Sequence, residues 1–172
     1  MIKVQNFKTP YGELIIGDYQ NKLCLCDWRY RKMRKTIDHR IKNYFGVDFF
    51  IEENTELIEQ TKQQLNEYFA KGRKQFDIPL IFAGSDFQES VWNALMEIPY
   101  GKTISYLDLS RRLGNLKAVR AIAAANGANA ISIIVPCHRV VGSKGELTGY
   151  AGGLPAKKKL LLLESAQTGL FA

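Results

Sequence analysis

The chain has 172 residues, of which 46% are hydrophobic and 24% charged, a composition typical of a soluble globular protein with one domain or two small ones. It has three cysteines, no signal-peptide pattern and no apolar run near the roughly 20 residues of a membrane-spanning helix, so we expect a cytoplasmic protein with free thiols and no membrane partner. The net charge of +7 favours an anionic partner.

Residues 1–83 are predicted to form an N-terminal α/β domain. Two β-rich runs, residues 11–17 and 23–28, flank a polar turn, which is typical of a hairpin. Cys24 and Cys26 alternate along the second run, so we expect them to pack on one face of the sheet. A zinc site would need further ligands that this region does not supply, so no metal is predicted.

Three further elements are predicted in this domain. The basic residues 29–42 indicate a solvated loop that leads into a helix near residues 37–45, and a second phosphate-facing patch is the alternative. Apolar residues at helical spacing predict a helix over residues 54–72. Residues 76–82 alternate between apolar and other residues, as in a strand. Residues 1–83 contain no motif that predicts a catalytic role.

The second part, residues 84–172, is predicted to be a separate domain that begins with a helix. Residues 85–88, Ser-Asp-Phe-Gln, form a capping box, in which the Ser and Gln side chains bond free backbone amides at the helix start. The residues expected on one buried face of this helix are Phe87, Val91, Leu95 and Met96.

A helix-turn-helix arrangement follows in the sequence. A second capping box at residues 105–108 opens a helix that ends at Gly114, and a third helix covers about residues 116–126. The third helix is rich in alanine, including Ala118 and Ala121, so it could approach DNA closely but could not read base edges through bidentate hydrogen bonds. Residues 109–145 contain basic side chains and no acidic one, which favours a polyanion bound without sequence specificity.

A cysteine follows the next apolar run. Residues 131–135 predict a strand that Pro136 ends, so that Cys137 and His138 lie at a strand end. A thiolate is a nucleophile, and it needs a nearby base or cation to form at neutral pH. A buried structural cysteine is the alternative, but the imidazole and guanidinium groups that follow are costly to bury without a function.

The rest of the chain predicts a wing, a loop and a helix. Residues 140–147 indicate a small hairpin beside the two helices, so that the domain would be a winged helix. Residues 149–153 contain three glycines, which allow a ligand to approach the backbone closely. Pro155 is expected to start a last helix that packs through residues 160–163.

The segment Pro136-Cys137-His138-Arg139-Val140 resembles the active-site signature of the O6-alkylguanine-DNA alkyltransferases, also called methylated-DNA-protein-cysteine methyltransferases. The resemblance extends over about residues 85–164. It implies an RNase H-like N-terminal domain and a C-terminal winged helix-turn-helix domain. It also implies a monomer that binds double-stranded DNA carrying O6-alkylguanine, possibly also O4-methylthymine, flips the base out and transfers the alkyl group once to its own cysteine, without a cofactor.

The resemblance also implies roles for particular residues. Cys137 corresponds to the alkyl acceptor, His138 to the base that takes its proton through a water, Glu164 to the carboxylate that orients the imidazole, and Asn129 to the residue that holds the local turn. Tyr106 corresponds to the hydroxyl that bonds and protonates the base, and Arg120 to the arginine that fills the gap in the duplex. The remaining predicted contacts to DNA or substrate are Ala118, Ala121, Val140, Ser143, Tyr150, Ala151 and Gly152. Many relatives have Ser at the position of Ala151, so we expect retained activity with an altered preference.

Three other functions are disfavoured by the sequence. A Cys-His hydrolase is disfavoured because neighbouring residues of an extended chain point in opposite directions, so His138 could not easily bond Cys137 directly. A module that only flags damaged bases is disfavoured by Cys137, because relatives of that kind have Trp there. The alanine-rich helix and the absence of an added sensor domain disfavour a transcription regulator.

Overall fold

A computed structural model describes residues 1–165. The chain divides into two compact units, Met1–Gly84 and a unit that begins at Ser85, and each is described separately below. Residues 166–172, the end of the predicted second domain at 84–172, lie outside the described part. Within residues 1–165, no helix is long and apolar enough to cross a membrane.

The first unit contains a four-stranded mixed sheet. Its strands are β1 (Ile2–Thr9), β2 (Gly12–Tyr19), β3 (Lys22–Trp28) and β4 (Phe50–Glu52), in the order β3-β2-β1-β4. The pairs β1–β2 and β2–β3 are antiparallel, whereas β4 pairs with β1 in parallel. The predicted hairpin is therefore confirmed. The sequence analysis did not predict β1 or β4, because apolar alternation in β1 extends only over residues 2–5 and β4 has only three residues.

Two helices, α1 (Arg34–Phe45) and α2 (Glu56–Phe69), accompany this sheet. The predicted helix at α2 is confirmed, and the Thr55 hydroxyl caps it by accepting a hydrogen bond from the backbone amide of Ile58. Helix α1 begins earlier than predicted, within the stretch expected to be a solvated loop. The reason is that Asp27, which is fully buried, pairs with Arg31 and Arg34 at 3.0 and 2.9 Å and so draws them inward.

The strand predicted for residues 76–82 is wrong. This segment makes one isolated bridge to the sheet, between Leu80 and Leu23. Pro79 has no amide hydrogen to donate, and the side chain of Gln64 bonds both the backbone amide and the carbonyl of Asp77. The Gln64 side chain thus forms the hydrogen bonds to the Asp77 backbone that a neighbouring strand would otherwise form.

The second unit begins with three helices: α3 (Asp86–Leu95), α4 (Tyr106–Arg112) and α5 (Val119–Gly127), the last preceded by a 3-10 turn at Leu116–Ala118. The capping box at Ser85 is confirmed, with both reciprocal hydrogen bonds present. Val91 and Leu95 are buried as predicted, but Phe87 and Met96 are exposed. Trp92 lies on the buried face instead and donates to the carbonyl of Ala125, which holds α3 against α5.

The predicted hairpin after Cys137 is also wrong. Strand β6 (Val140–Val141) pairs in parallel with β5 (Ile104–Ser105), and residue 147 is in no strand. The chain instead forms a tight loop in which the amide of Gly142 donates to the carbonyl of Glu146. The Glu146 carboxylate folds back over Gly142 and accepts from the amide of Lys144 at 2.8 Å, which helps to close the loop. The last helix, α6 (Leu154–Ser165), is confirmed, with all but Leu162 of residues 160–163 buried.

Candidate active site

The segment before the cysteine is a clamped turn, not the predicted strand. Ile133 has a φ of +71°, which is unfavourable for a β-branched residue and ends any strand there. Asn129 holds this conformation in place. Its Oδ1 accepts from the amide of Ile131 at 2.9 Å, and its Nδ2 donates to the carbonyls of Ile131 and Val135 at 3.3 and 2.9 Å. Asn129 therefore lies where it fixes the approach of the chain to Cys137.

Cys137 is buried and begins a short 3-10 turn, Cys137–Arg139. Its amide donates to the carbonyl of Val135 at 2.8 Å, and the amide of Arg139 donates to the carbonyl of Pro136 at 3.0 Å. The chain at Cys137 is therefore not extended, and the expectation of an extended chain, which disfavoured a hydrolase in the sequence analysis, is wrong. The turn nonetheless separates successive side chains by about 120°, which still directs Cys137 and His138 apart.

His138, Arg139 and Glu164 form one buried network. The Nε2 atom of His138 lies 2.8 Å from Oε1 of Glu164, and both side chains are inaccessible to solvent. Arg139 contacts the same carboxylate with two nitrogens, each at 3.0 Å, and donates a third hydrogen bond to the carbonyl of Ile98 at 2.6 Å. The backbone amide of Gly101 is 3.4 Å from Oε2. Glu164 is thus a central acceptor of the unit and not a surface charge.

The surroundings of the network set its protonation. Burial works to raise the pKa of Glu164, but the charges and hydrogen bonds of His138 and Arg139 outweigh it and hold that pKa below its usual range. Burial lowers the pKa of His138 below 6.5, against the opposing effect of Glu164. A neutral His138 that donates from Nε2 to an ionised carboxylate keeps the lone pair of Nδ1 free. That nitrogen is buried and has no hydrogen-bond partner among residues 1–165, so it is the ring atom able to take up a proton.

Lys157 is a buried lysine that the sequence analysis missed. Its Nζ donates to the carbonyl of Val140 at 2.7 Å and to that of Thr148 at 3.1 Å. Burial lowers the pKa of its ammonium group, whereas the charge of the Cys137 thiolate raises it. The attraction is mutual, so a protonated Lys157 favours the thiolate. The sequence signal was available, because Lys157 has helical spacing with Leu160 and Glu164.

A second polar group surrounds the hydroxyl of Tyr106, at the start of α4. The Oγ1 atom of Thr148 lies 3.2 Å from this hydroxyl, and Nδ2 of the buried Asn126 lies 3.5 Å away. The same Nδ2 is 3.5 Å from the carbonyl of Cys137. Asn126 therefore links the Tyr106 hydroxyl to the backbone of Cys137. Neither Asn126 nor Thr148 was predicted, and nothing in their sequence neighbourhood distinguishes them from ordinary helix and loop residues.

The other predicted residues fall into two groups. Tyr150 lies beside the buried network, with its ring centroid 6.5 Å from that of His138, and Val140 is buried next to the 3-10 turn. Ala151 and Gly152 are half-buried in the loop that follows Tyr150.

The second group is exposed or half-buried. Arg120, Ala121 and Ser143 are exposed, and Ala118 is half-buried at the start of α5. Several basic side chains of this unit are also exposed: Lys102, Arg111, Arg112, Lys117 and Lys144. Among residues 1–165, no three His, Cys, Asp or Glu side chains are grouped so as to hold a metal ion.

The site and its setting define a class: a protein with a buried cysteine, a buried His-Glu pair next to it, and exposed basic residues on helices of the same unit. Comparison with known proteins supports this class. A family model described as "6-O-methylguanine DNA methyltransferase, DNA binding domain" matches residues 86–166.

Relatives that align over nearly the whole chain identify the family within this class. A methylated-DNA-protein-cysteine methyltransferase of Methanosarcina acetivorans is 53% identical over 160 residues, which cover 93% of this chain and 96% of that protein. The constitutive enzyme of the same name from Bacillus subtilis is 40% identical over 161 residues, 90% of each chain. A crystal structure of Mycobacterium tuberculosis OGT in complex with DNA superimposes with a TM-score of 0.84 at 36% identity, covering 96% of this chain and 94% of that one. The chain belongs to the methylated-DNA-protein-cysteine methyltransferase family.

Proposed function

We propose that this protein repairs alkylated DNA by transferring the alkyl group from O6 of guanine to Cys137. The observation that carries the proposal is the buried Cys137, followed in one turn by an imidazole that Glu164 orients. The relatives named for methyl transfer from DNA to a protein cysteine support the reaction class. A Cys-His hydrolase is less well supported, because its dyad needs a direct hydrogen bond between the two side chains and the 3-10 turn directs Cys137 and His138 apart.

The transfer is a displacement at carbon. His138 takes the thiol proton on Nδ1 through a bridging water, because the turn directs the two side chains apart, and Glu164 stabilises the imidazolium that forms. The thiolate attacks the alkyl carbon, a carbon–sulfur bond forms, and the bond between that carbon and the guanine oxygen breaks. The guanine leaves with the electron pair, and a proton from the Tyr106 hydroxyl neutralises it. Lys157 supports the first step, because its positive charge favours the thiolate over the thiol.

The DNA surface in this proposal is the face of α4 and α5. Two helices joined by a short turn, with exposed basic residues and small side chains, suit a sequence-independent grip on phosphates. Because Cys137 is buried, the target base would have to leave the duplex, and Arg120 at the exposed face of α5 would fill its place. We assign the second unit to the winged helix-turn-helix class, with the loop at Gly142–Glu146 as a short wing, and the first unit to the RNase H-like class.

The proposed reaction is stoichiometric. A thioether forms at Cys137, and no group described around it could cleave a carbon–sulfur bond, so each molecule acts once. Every residue of the network lies in one unit of one chain, between Ile98 and Glu164, which supports a functional monomer.

Peptide mass spectrometry tests this function. The protein is incubated with a duplex that contains O6-methylguanine and then digested. We expect the mass of one methylene on the peptide that contains Cys137, no gain with unmodified duplex, and no gain in Cys137→Ala. Label on Cys24 or Cys26, or an unlabelled Cys137 peptide, would refute the proposal. Arg120→Ala, compared with Arg112→Ala, then tests whether Arg120 fills the place that the flipped base leaves in the duplex.

A further inference from the structure

We propose that Thr148 is a positioning residue that holds the Tyr106 hydroxyl as a hydrogen-bond donor to the substrate base. The inference rests on the proposed function, because it concerns the group that protonates the departing base. Within residues 1–165, the hydrogen bond of the Thr148 side chain goes to Tyr106, at 3.2 Å, and not to His138, Arg139 or Glu164. Its effect would therefore act through Tyr106 alone.

The argument begins with the hydrogen-bonding capacity of a phenol. A tyrosine hydroxyl donates one hydrogen bond and accepts up to two. Asn126 lies 3.5 Å from it through Nδ2, and the orientation of that amide is fixed because Nδ2 also faces the carbonyl of Cys137, which can only accept. Asn126 therefore donates to Tyr106. One acceptor position of the phenol oxygen is filled.

Thr148 fills the second position. Its Oγ1 lies 3.2 Å from the same oxygen, and its backbone is held in place because the carbonyl of Thr148 accepts from the buried Lys157 at 3.1 Å. With two donors directed at the oxygen, the hydrogen of the phenol cannot point at either of them. It is left to point toward an acceptor on the bound base.

The direction of the Tyr106 O–H bond matters more in this protein because position 151 of the neighbouring loop does not supply a second hydroxyl donor. Ala151 has no hydroxyl, so it cannot donate to the base oxygen through its side chain. Of the side chains at positions 106 and 151, only Tyr106 then has a hydroxyl that can give a proton to the leaving guanine. Thr148 would thus set the rate of the chemical step and leave the affinity for DNA unchanged.

The experiment compares Thr148→Val, which keeps the shape and removes the hydroxyl, with Thr148→Ser, which keeps the hydroxyl. The single-turnover rate of methyl transfer is measured at saturating duplex containing O6-methylguanine. We expect Thr148→Val to be about three- to tenfold slower, as for the loss of one hydrogen bond, and Thr148→Ser to approach the wild type. The rate of thiol alkylation by iodoacetamide, which needs no proton donor to a base, and the affinity for unmodified duplex are expected to be unchanged.

A double-mutant cycle makes the test specific. In the Tyr106→Phe background, Thr148→Val is expected to have no further effect, because the group on which it acts is gone. Equal losses in both backgrounds would overturn the inference. So would a Thr148→Val enzyme as fast as the wild type or faster, because that result would mean that Tyr106 donates to Thr148 in the resting protein. Failure of wild-type protein to label Cys137 would instead refute the proposed function.

Discussion

Glu164→Gln removes one charge from the buried network and keeps its shape. In the folded protein the carboxylate accepts from Arg139 at 3.0 Å through two nitrogens and from His138 at 2.8 Å. The amide can accept at only one atom and presents an N–H pair to side chains that also donate. It leaves the Arg139 guanidinium buried without a counter-charge, and breaking a buried ion pair in this way costs about 3–5 kcal/mol.

Chemical denaturation measures this cost. The chain has two tryptophans, so Trp28→Phe leaves Trp92, buried in the second unit, as the reporter of that unit. In this background we expect Glu164→Gln to lose about 3 kcal/mol or more of unfolding free energy, a large part of the 5–15 kcal/mol of an ordinary domain. Glu97→Gln, at an exposed position before Ile98, is the control and should show no measurable change.

The pH dependence of stability provides a second measurement on the same variant. A carboxyl whose pKa is lower in the folded than in the unfolded protein stabilises the fold at pH above the unfolded value, and this contribution is lost as the pH falls toward the folded value. Glu164→Gln should therefore lose most stability at neutral pH and approach the wild type in acid. A loss below about 1 kcal/mol at neutral pH, or a loss equal at all pH values, would refute the reasoning about the network.

Three further predictions follow from the site. Because burial lowers the pKa of His138, the methyl-transfer rate should hold as the pH falls through 6.5 and decline only below it, and an acid limb centred at 6.5 or above in the rate profile would contradict this. Lys157→Met should slow the reaction of the thiol with iodoacetamide several-fold at pH 7 and less at higher pH, whereas Lys158→Met, at an exposed position, should not; equal rates for the two variants would show that Lys157 does not support the thiolate. Asn129→Ala should lower the unfolding free energy by about 1–3 kcal/mol, because the turn around Ile133 loses its clamp, and a melting curve like that of Asn93→Ala, an exposed control, would contradict it.

The sequence pattern around Cys137 predicted a part of the site. It predicted the nucleophile, the adjacent imidazole and the distant carboxylate, because a thiol beside two costly cationic groups indicates chemistry and because the spacing resembles a known family. It could not predict that Arg139 shares the carboxylate of Glu164, since that contact spans 25 residues of chain. It also placed Cys137 after a strand, because residues 131–135 have strand-type composition, while Asn129 imposes a turn on them.

The sequence by itself determined the elements whose stabilisation is local. Helices α2 and α3 carry their own caps and apolar faces, and the β2–β3 hairpin carries its own turn and alternation, so short-range energies suffice to specify them. Only the tertiary structure decided which polar residues are buried. Lys157 has lysines on its C-terminal side and Glu164 ends an ordinary helix, and the two become part of a reactive site because α6 packs against the turn at Cys137, where burial is tolerated only with a partner.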